Sequence, residues 1–255
     1  EYGSILEMEK VYFEGIKTRL QEIMNDDNMI FGDYRNTLLD KLTIIIKQAE
    51  IMSRKYEVCI TNPPYMGNSG MNTRLTKYLS ILYKNEKKDL FSAFIKKNIN
   101  YTMKNGYIGF MTPFVWMFIA SYEKLRTMII DEVSISSLIQ LEYSGFEEAT
   151  VPICTFVLRN TKVNAKGEFI KLSEFKGAKN QSIRTLEAIN DKNCRYSFSV
   201  SSNIFKSIPS SPIVYWLPNR MLETYRDTMK LKEISISDGQ TKTGDNNKYL
   251  RNIWE

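Results

Sequence analysis

The chain has 255 residues and a formal net charge of +6, with 35 Lys and Arg against 29 Asp and Glu, and it contains no histidine. Its hydrophobic content of 43% is that of an ordinary globular protein, and no apolar run is long enough to cross a membrane. The lack of histidine excludes Ser-His-Asp and Cys-His hydrolases and, with three scattered cysteines, argues against a zinc site. We therefore expect a cytoplasmic protein with reduced thiols, no metal and no membrane partner, whose basic charge is compatible with a polyanionic partner.

The first part of the chain, residues 1–55, is expected to be a helical lead-in. Ser4 and Glu7 have the spacing of a capping box, which predicts that a helix begins there. Apolar residues recur at helical spacing from Phe13 and again over 35–50, so two helices are expected. There is no signal peptide and no initiator Met, and we expect the chain to be a piece of a longer protein.

An apolar, β-branched run predicts a buried strand over residues 56–61. The strand stops before Pro63 and Pro64, because proline has a fixed φ and no N–H to extend a ladder. Asn62 and Tyr65 flank the two prolines. In an open α/β sheet, ligands bind at the carboxyl ends of the strands, so this tetrapeptide is a candidate site.

The tetrapeptide suits a flat molecule that carries an exocyclic amine. The amino nitrogen of adenine is a poor nucleophile because its lone pair is delocalised into the ring. The Asn62 side-chain oxygen and the Pro63 carbonyl are acceptors, and two hydrogen bonds from one NH2 would push its nitrogen toward tetrahedral geometry. Tyr65 would stack on the base, which is worth roughly 1–3 kcal/mol. An ordinary Asn-Pro-Pro turn is the alternative interpretation, and the preceding strand favours the catalytic one.

The next elements alternate between helix and strand. A helix is expected near 73–84, and another is expected to begin at Asp89, a good N-cap. A buried strand is predicted over 107–111, followed by a loop rich in aromatic residues at 114–118. Ser121 is expected to cap a helix that ends near residue 131.

Two further strands are predicted over 134–143 and 151–159. The connection of about seven residues is too short for a parallel crossover, so this pair is expected to be antiparallel. The pattern is that of an α/β protein with one reversed strand near the edge of the sheet. A short strand over 169–172, a linker at 208–212 and a helix near 218–228 complete the prediction.

Several of these stretches together resemble one family. The strand with Asn62-Pro63-Pro64-Tyr65 resembles the catalytic motif of S-adenosylmethionine-dependent amino-methyltransferases that act on DNA bases. Later motifs of that family are similar to Asp89-Leu90-Phe91, to the run 106–113 and to the run 148–159. Within the family, the chain most resembles the adenine-specific methyltransferases of BREX phage-exclusion systems, through the runs 61–67, 114–117 and 141–144.

The resemblance implies a partial Rossmann-like class I methyltransferase sheet, with helices on both faces and a reversed antiparallel strand. A smaller α+β target-recognition region is expected to begin after it. The implied domains are the lead-in 1–55, the C-terminal half of the catalytic domain over 56–207, and a linker with the start of target recognition over 208–255. The family's glycine-rich cofactor loop does not occur upstream of residue 56, so we expect the N-terminal cofactor-binding motif to be missing and the chain alone to be inactive.

The resemblance also implies roles for single residues. Asn62 and Pro63 would hold the amino group of an adenine extruded from the duplex, with Pro64 and Tyr65 completing the catalytic motif. Asn62 and Pro63 would also contribute to the S-adenosylmethionine site. Tyr65 would stack on the base, and Phe146 would be the second stacking aromatic unless it is a core residue. Two further aromatic candidates for lining the cleft are Phe114 and Trp116.

The expected function is methylation of adenine in double-stranded DNA by a phage-defence or restriction-modification system. S-adenosylmethionine is the expected cofactor, and other defence-system subunits are candidate partners. One alternative keeps the chemistry but acts on a glutamine side chain of a protein or on a guanine of ribosomal RNA. Those enzymes usually end soon after the reversed strand, whereas this chain continues. The other alternative is a non-catalytic nucleic-acid-binding part, against which the intact motif at 62–65 argues.

Overall fold

A computed structural model describes residues 3–9, 11–25, 32–143 and 151–236. The helices are α1 (Phe13–Met24), α2 (Gly32–Ser53), α3 (Thr73–Leu82), α4 (Leu90–Tyr101), α5 (Glu123–Glu132), α6 (Ala178–Asn190), α7 (Asn219–Asp227) and α8 (Leu231–Ile234). The strands are β1 (Tyr56–Thr61), β2 (Thr102–Pro113), β3 (Ser134–Gln140), β4 (Ile153–Arg159), β5 (Lys166–Lys171) and β6 (Ser197–Ser201). None of the helices described is both long and apolar enough to span a membrane.

The strands form one sheet in the order β1-β2-β4-β3-β5-β6. The pairs β1–β2 and β3–β5 are parallel, whereas β4 runs antiparallel to both of its neighbours and β6 runs antiparallel to β5. The predicted α/β fold with a reversed strand is confirmed, and so is the antiparallel pairing of β3 with β4. The reversed strand lies inside the sheet, however, and not near its edge, because β2 and β3 pair with its two sides.

Helices cover both faces of the sheet, as predicted. Successive residues of a strand point to opposite faces. On one face, Leu138 and Phe169 belong to the largest core cluster, which also contains residues of α4 and α5. On the other face, the adjacent residues Ile139 and Ile170 belong to a separate cluster that includes Ala188 of α6. The two clusters therefore lie on opposite sides of one sheet.

Strand β1 has the predicted bounds, but it is not buried. It is the terminal strand of the described sheet, bonded to β2. Val58 is 55% exposed and Ile60 is 80% exposed. The prediction of a buried strand is wrong for this structure, because the helix cover lies over the opposite face, where Cys59 packs against the core.

The start of the chain also differs from the prediction. Ser4 lies in a short 3-10 helix, Gly3–Ile5, and α1 begins only at Phe13. Tertiary contacts explain the difference, because Ile5 is buried against α3 and α4. Glu7 does not cap a helix, since its carboxylate forms an ion pair of 2.8 Å with the buried Lys97 of α4.

Other helix boundaries depend on their caps. The Asp89 side chain accepts a hydrogen bond of 3.2 Å from the Phe91 N–H, so α4 begins where the sequence predicts. Helix α5 begins two residues after the predicted Ser121, which lies in a 3-10 helix, Ala120–Tyr122. Helix α6 and strand β6 were not predicted.

The segment after β6 packs against the core of the sheet. Ile213 and Tyr215 are buried in the largest cluster. The buried guanidinium of Arg126 donates hydrogen bonds to the carbonyls of Trp116, Ile119 and Ser210 at 2.7 to 3.1 Å. The stretch predicted as a linker is therefore fastened to the sheet. Helix α7 agrees with the helix expected near 218–228, and the division into three domains stays a prediction.

Candidate functional site

The four motif residues lie at the carboxyl end of β1, beside the end of β2. The register pairs Thr61 with Phe110, so the chain leaves β1 next to the last residues of β2. Asn62 is exposed, Pro63 is buried and Tyr65 is 36% exposed. The amide and the aromatic ring are thus accessible, while the backbone between them is anchored.

The Tyr65 hydroxyl connects the motif to the neighbouring strand. Its oxygen lies 2.8 Å from the Asn62 Oδ1 and 3.2 Å from the Met111 carbonyl oxygen. Both of these atoms are acceptors, so the hydroxyl donates its single proton to either one. Asn62 Oδ1 has two lone pairs and can accept a second hydrogen bond. The contact therefore orients the carboxamide without using up its acceptor capacity.

The Pro63 carbonyl is the second acceptor of the motif. Among the described residues, no hydrogen-bond donor reaches it. Because β1 ends at Thr61, this carbonyl lies outside the strand ladder. The site therefore offers two oxygens, one from a side chain and one from the backbone, to a ligand with an N–H2 group.

Neither of the titratable groups near the motif changes its charge near neutral pH. Burial raises the pKa of the Tyr65 phenol, and the nearby Cys154 thiol raises it further. Burial also raises the pKa of Cys154 to about 12. The phenol therefore remains a hydrogen-bond donor and the thiol remains neutral, so neither of these two groups acts as a general base.

The loop that follows Tyr65 is fastened to the start of α4. The Leu90 N–H donates to the Met66 carbonyl at 2.9 Å, and the Asn68 N–H donates to the Lys88 carbonyl at 3.1 Å. Between these two bonds lies Asp89, whose carboxyl has a pKa raised by burial. The Asp-Leu-Phe stretch is therefore part of the support of the site.

The two aromatic residues predicted to line the cleft occupy different environments. Phe114 is half-buried directly after β2, with its ring 6.0 Å from that of Phe118. Trp116 is fully buried, and its indole N–H donates to Thr112 Oγ1 at 3.2 Å. The structure therefore corrects the prediction for Trp116: it is a core residue, because its polar atom has a buried partner and its ring packs against Phe156. Phe146 lies outside the described residues.

A cavity of about 530 Å³ lies between α6 and the face of the sheet formed by β2, β3 and β4. Met111, whose carbonyl oxygen lies 3.2 Å from the Tyr65 hydroxyl, is one of its lining residues and connects it to the neighbourhood of the motif. The remaining lining residues are Ile139, Leu141, Thr155, Ala178, Gln181, Ser182, Thr185 and Leu186. The sequence prediction missed this cavity because it missed α6. Over the described ranges, no group of three or more His, Cys, Asp or Glu is arranged to hold a metal ion.

Comparison with known proteins identifies the family. Residues 7–146 match the Eco57I restriction-modification methylase family. The chain belongs to this family. The resemblance inferred from the motifs is thereby confirmed.

Curated relatives are similar over most of the chain. It is 30% identical over 221 residues to the adenine-specific methyltransferase PglX of Lacticaseibacillus casei (strain Zhang), which corresponds to 84% of this chain and 18% of that protein. It is also 30% identical over 175 residues to the adenine-specific methyltransferase BrxX of Escherichia coli O9:H4 (strain HS), or 67% of this chain and 14% of that protein. The chain thus spans less than a fifth of the length of either relative.

A solved structure overlaps partially with this one. The methyltransferase subunit of a type I restriction-modification system from Streptococcus thermophilus has a TM-score of 0.49 at 16% identity. The overlap covers 63% of this chain and 37% of that one.

Proposed function

We propose that the protein containing this chain is an adenine-specific DNA methyltransferase of a restriction-modification or phage-defence system. It transfers a methyl group from S-adenosylmethionine to the amino nitrogen of an adenine extruded from double-stranded DNA. The observation that carries the proposal is the hydrogen bond of 2.8 Å from the Tyr65 hydroxyl to Asn62 Oδ1 at the end of β1, next to a Pro63 carbonyl that no described donor reaches. Membership of the methylase family supports it.

Asn62 and Pro63 hold the amino group in this proposal. Each oxygen accepts one of the two N–H bonds, which draws the nitrogen out of conjugation and frees its lone pair. S-adenosylmethionine supplies an electrophilic methyl group on a sulfonium. Asn62 and Pro63, which would hold the accepting nitrogen, would therefore also border the S-adenosylmethionine site. Direct attack of this kind depends on positioning and needs no strong base.

Tyr65 and the adjoining cavity accommodate the base. The exposed part of the Tyr65 ring is available for stacking, and Phe146 is proposed as the second aromatic partner. The volume of about 530 Å³ lies in the range of small-molecule sites, which is roughly 300–1,000 Å³. Phe114, which follows β2 directly, is proposed to border the base at the carboxyl ends of β1 and β2, on the face of the sheet opposite this cavity.

We propose a separate role for each of the three parts of the chain. Residues 1–55 are a helical lead-in, residues 56–207 hold the acceptor half of the catalytic domain, and residues 208–255 connect to target recognition. In the described residues before β1 the elements are helical, and none of them is assigned to the methyl donor. The relatives are more than five times longer than the matched part, so we propose that the full-length protein, with any partner subunits, is the active species.

The test is methylation by the full-length protein. Modified-base sequencing of DNA from cells with and without its gene would show methylated adenines at one recognition sequence only when the gene is present. Asn62→Ala is expected to abolish this signal and to leave DNA binding nearly intact, because it removes an acceptor and no charge. Asn68→Ala, an exposed asparagine of the following loop, is the matched control and is expected to retain methylation. Persistent adenine methylation in Asn62→Ala would contradict the mechanism.

A further inference from the structure

A second cluster of functional groups lies at the same edge of the sheet as the motif. Strands β1, β2, β3 and β5 run in one direction, because β4 is antiparallel to both β2 and β3 while β5 is parallel to β3. Their carboxyl ends therefore share an edge. Lys171 is the last residue of β5, just as Thr61 is the last residue of β1. With four strand spacings of about 4.8 Å between them, the two ends are about 19 Å apart.

The cluster forms a small cavity with cationic and aromatic walls. Its volume is about 140 Å³. The Lys171 Nζ lies 4.4 Å from the centre of the Trp216 ring. The lining residues are Lys171, Glu174, Arg195, Tyr196, Phe198 and Trp216. We call Lys171, Arg195 and Trp216 the Lys171 patch.

The charges of the patch are only partly neutralised within the described part of the chain. Arg195 pairs with Glu174 at 3.4 Å, but both side chains are well exposed. Exposed ion pairs of this kind contribute little free energy, so a stronger anion can replace the carboxylate. Lys171 makes no ion pair with any described carboxylate. The patch therefore has two cationic side chains, Lys171 and Arg195, and one acidic neighbour, Glu174.

Aromatic rings connect the patch to the candidate active site. The Trp216 ring lies 5.7 Å from that of Phe118, and the Phe118 ring lies 6.0 Å from that of Phe114. Phe114 directly follows β2, whose Met111 carbonyl oxygen lies 3.2 Å from the Tyr65 hydroxyl. A row of aromatic rings therefore links the patch to the end of β2, the strand beside the motif.

We propose that the Lys171 patch binds backbone phosphates of the DNA that flanks the extruded adenine; this inference rests on the proposed function. Lys171 and Arg195 contact the phosphates, and Trp216 holds the Lys171 ammonium in place by a cation–π contact. At 3.4 Å per base step, a separation of about 19 Å places these phosphates about five or six base pairs from the target base. The patch thereby fixes how the duplex lies along the carboxyl edge.

The experiment measures the salt dependence of DNA binding by the full-length protein. Each lost phosphate contact flattens the slope of log K against log salt by about 0.9. Lys171→Gln with Arg195→Gln is expected to lower affinity at 50 mM salt and to reduce the slope by about 1.8. The ratio of the wild-type affinity to that of the double variant is then expected to be about twelve times smaller at 200 mM salt than at 50 mM salt. Lys192→Gln is the matched control, because this exposed lysine pairs with Glu168 and does not line the cavity.

Three results decide whether the patch contacts the DNA backbone. An unchanged slope in the double variant, with an unchanged melting temperature, overturns the inference. If the double variant is unstable, the single variant Arg195→Gln at an exposed position provides a second measurement: it is expected to reduce the slope by about 0.9, and an unchanged slope overturns the inference. If inorganic phosphate competes with the duplex at equal concentrations of phosphate groups, the site takes isolated phosphate, and DNA backbone recognition is refuted.

Failure of the patch and failure of the proposed function are distinguishable. If the wild-type protein methylates adenine but the double variant keeps its slope, only the patch is refuted. If the wild-type protein does not methylate adenine and the slope still falls in the double variant, the patch binds DNA and the proposed function is refuted.

Discussion

Substitutions of Tyr65 separate the contribution of its hydroxyl from that of its ring. Tyr65→Phe removes the hydrogen bond to Asn62 Oδ1, which measures 2.8 Å, and leaves the stacking face. A net hydrogen bond contributes about 0.5–1.5 kcal/mol, so loss of the orientation of Asn62 is expected to slow methyl transfer about two- to thirteen-fold. Tyr65→Ala also removes the stacking face, worth roughly 1–3 kcal/mol, and is expected to slow the reaction a further five- to 160-fold.

The assay is single-turnover methylation of a duplex that carries one recognition sequence, with the full-length protein in excess. DNA binding is measured in parallel, and Tyr65→Phe is expected to bind the duplex like the wild type. Asn62→Ala is expected to be slower than either Tyr65 variant, because it removes one of the two acceptors of the amino group. Equal rates for Tyr65→Phe and Tyr65→Ala would refute the stacking role, and a wild-type rate for Tyr65→Phe would refute the orienting role of the hydroxyl.

Two further predictions concern stability. Arg126→Met is expected to lower the free energy of unfolding by about 3 kcal/mol, measured by chemical denaturation. The reason is that it leaves three carbonyls without their hydrogen-bond donor, at about 1–3 kcal/mol each. A loss below about 1 kcal/mol would contradict this role of Arg126. The raised pKa of Cys154, about 12 when folded against about 8.5 in an unfolded chain, stabilises the protein fully below about pH 8.5. Above that pH, the free energy of unfolding is expected to fall by about 1.4 kcal/mol per unit up to about pH 12, and Cys154→Ala should decline less steeply.

Local rules explain what the sequence predicted correctly. Strand β1 ends where two prolines remove the N–H groups of a ladder, so its last residue, Thr61, was predicted without error. The β3–β4 pair was predicted as antiparallel from an expected connection of about seven residues; the pairing is confirmed, although β3 ends at Gln140 and β4 begins at Ile153, so the connection is longer than expected. Asp89 caps α4 through a hydrogen bond within its own turn. In each case, the determinant lies within a few residues of the feature.

The missed features depend on contacts between distant residues. Helix α6 exposes Ile183, Leu186 and Ile189, so its apolar pattern does not mark a simple buried face. Strand β6 alternates serine with Phe198 and Val200, and it forms only because β5 is beside it. The Trp116 environment is likewise a tertiary effect, since its indole N–H donates to a buried threonine. The Lys171 patch combines residues from three separated segments, which no local pattern connects.

The exposed face of β1 raises the question of what fixes Asn62. The proposed catalytic role of Asn62 requires that it be held within about 0.5 Å of its productive geometry, and burial of the strand is not what provides this. Three attachments act instead: the ladder from β1 to β2, the hydrogen bond that the Tyr65 hydroxyl donates to Asn62 Oδ1 or to the Met111 carbonyl, and the bond from the Leu90 N–H to the Met66 carbonyl. The first precedes the motif in the chain, the second lies within it and the third follows it. The two prolines remove backbone freedom between these attachments, so the acceptor oxygens are positioned even though the strand that carries them ends the described sheet.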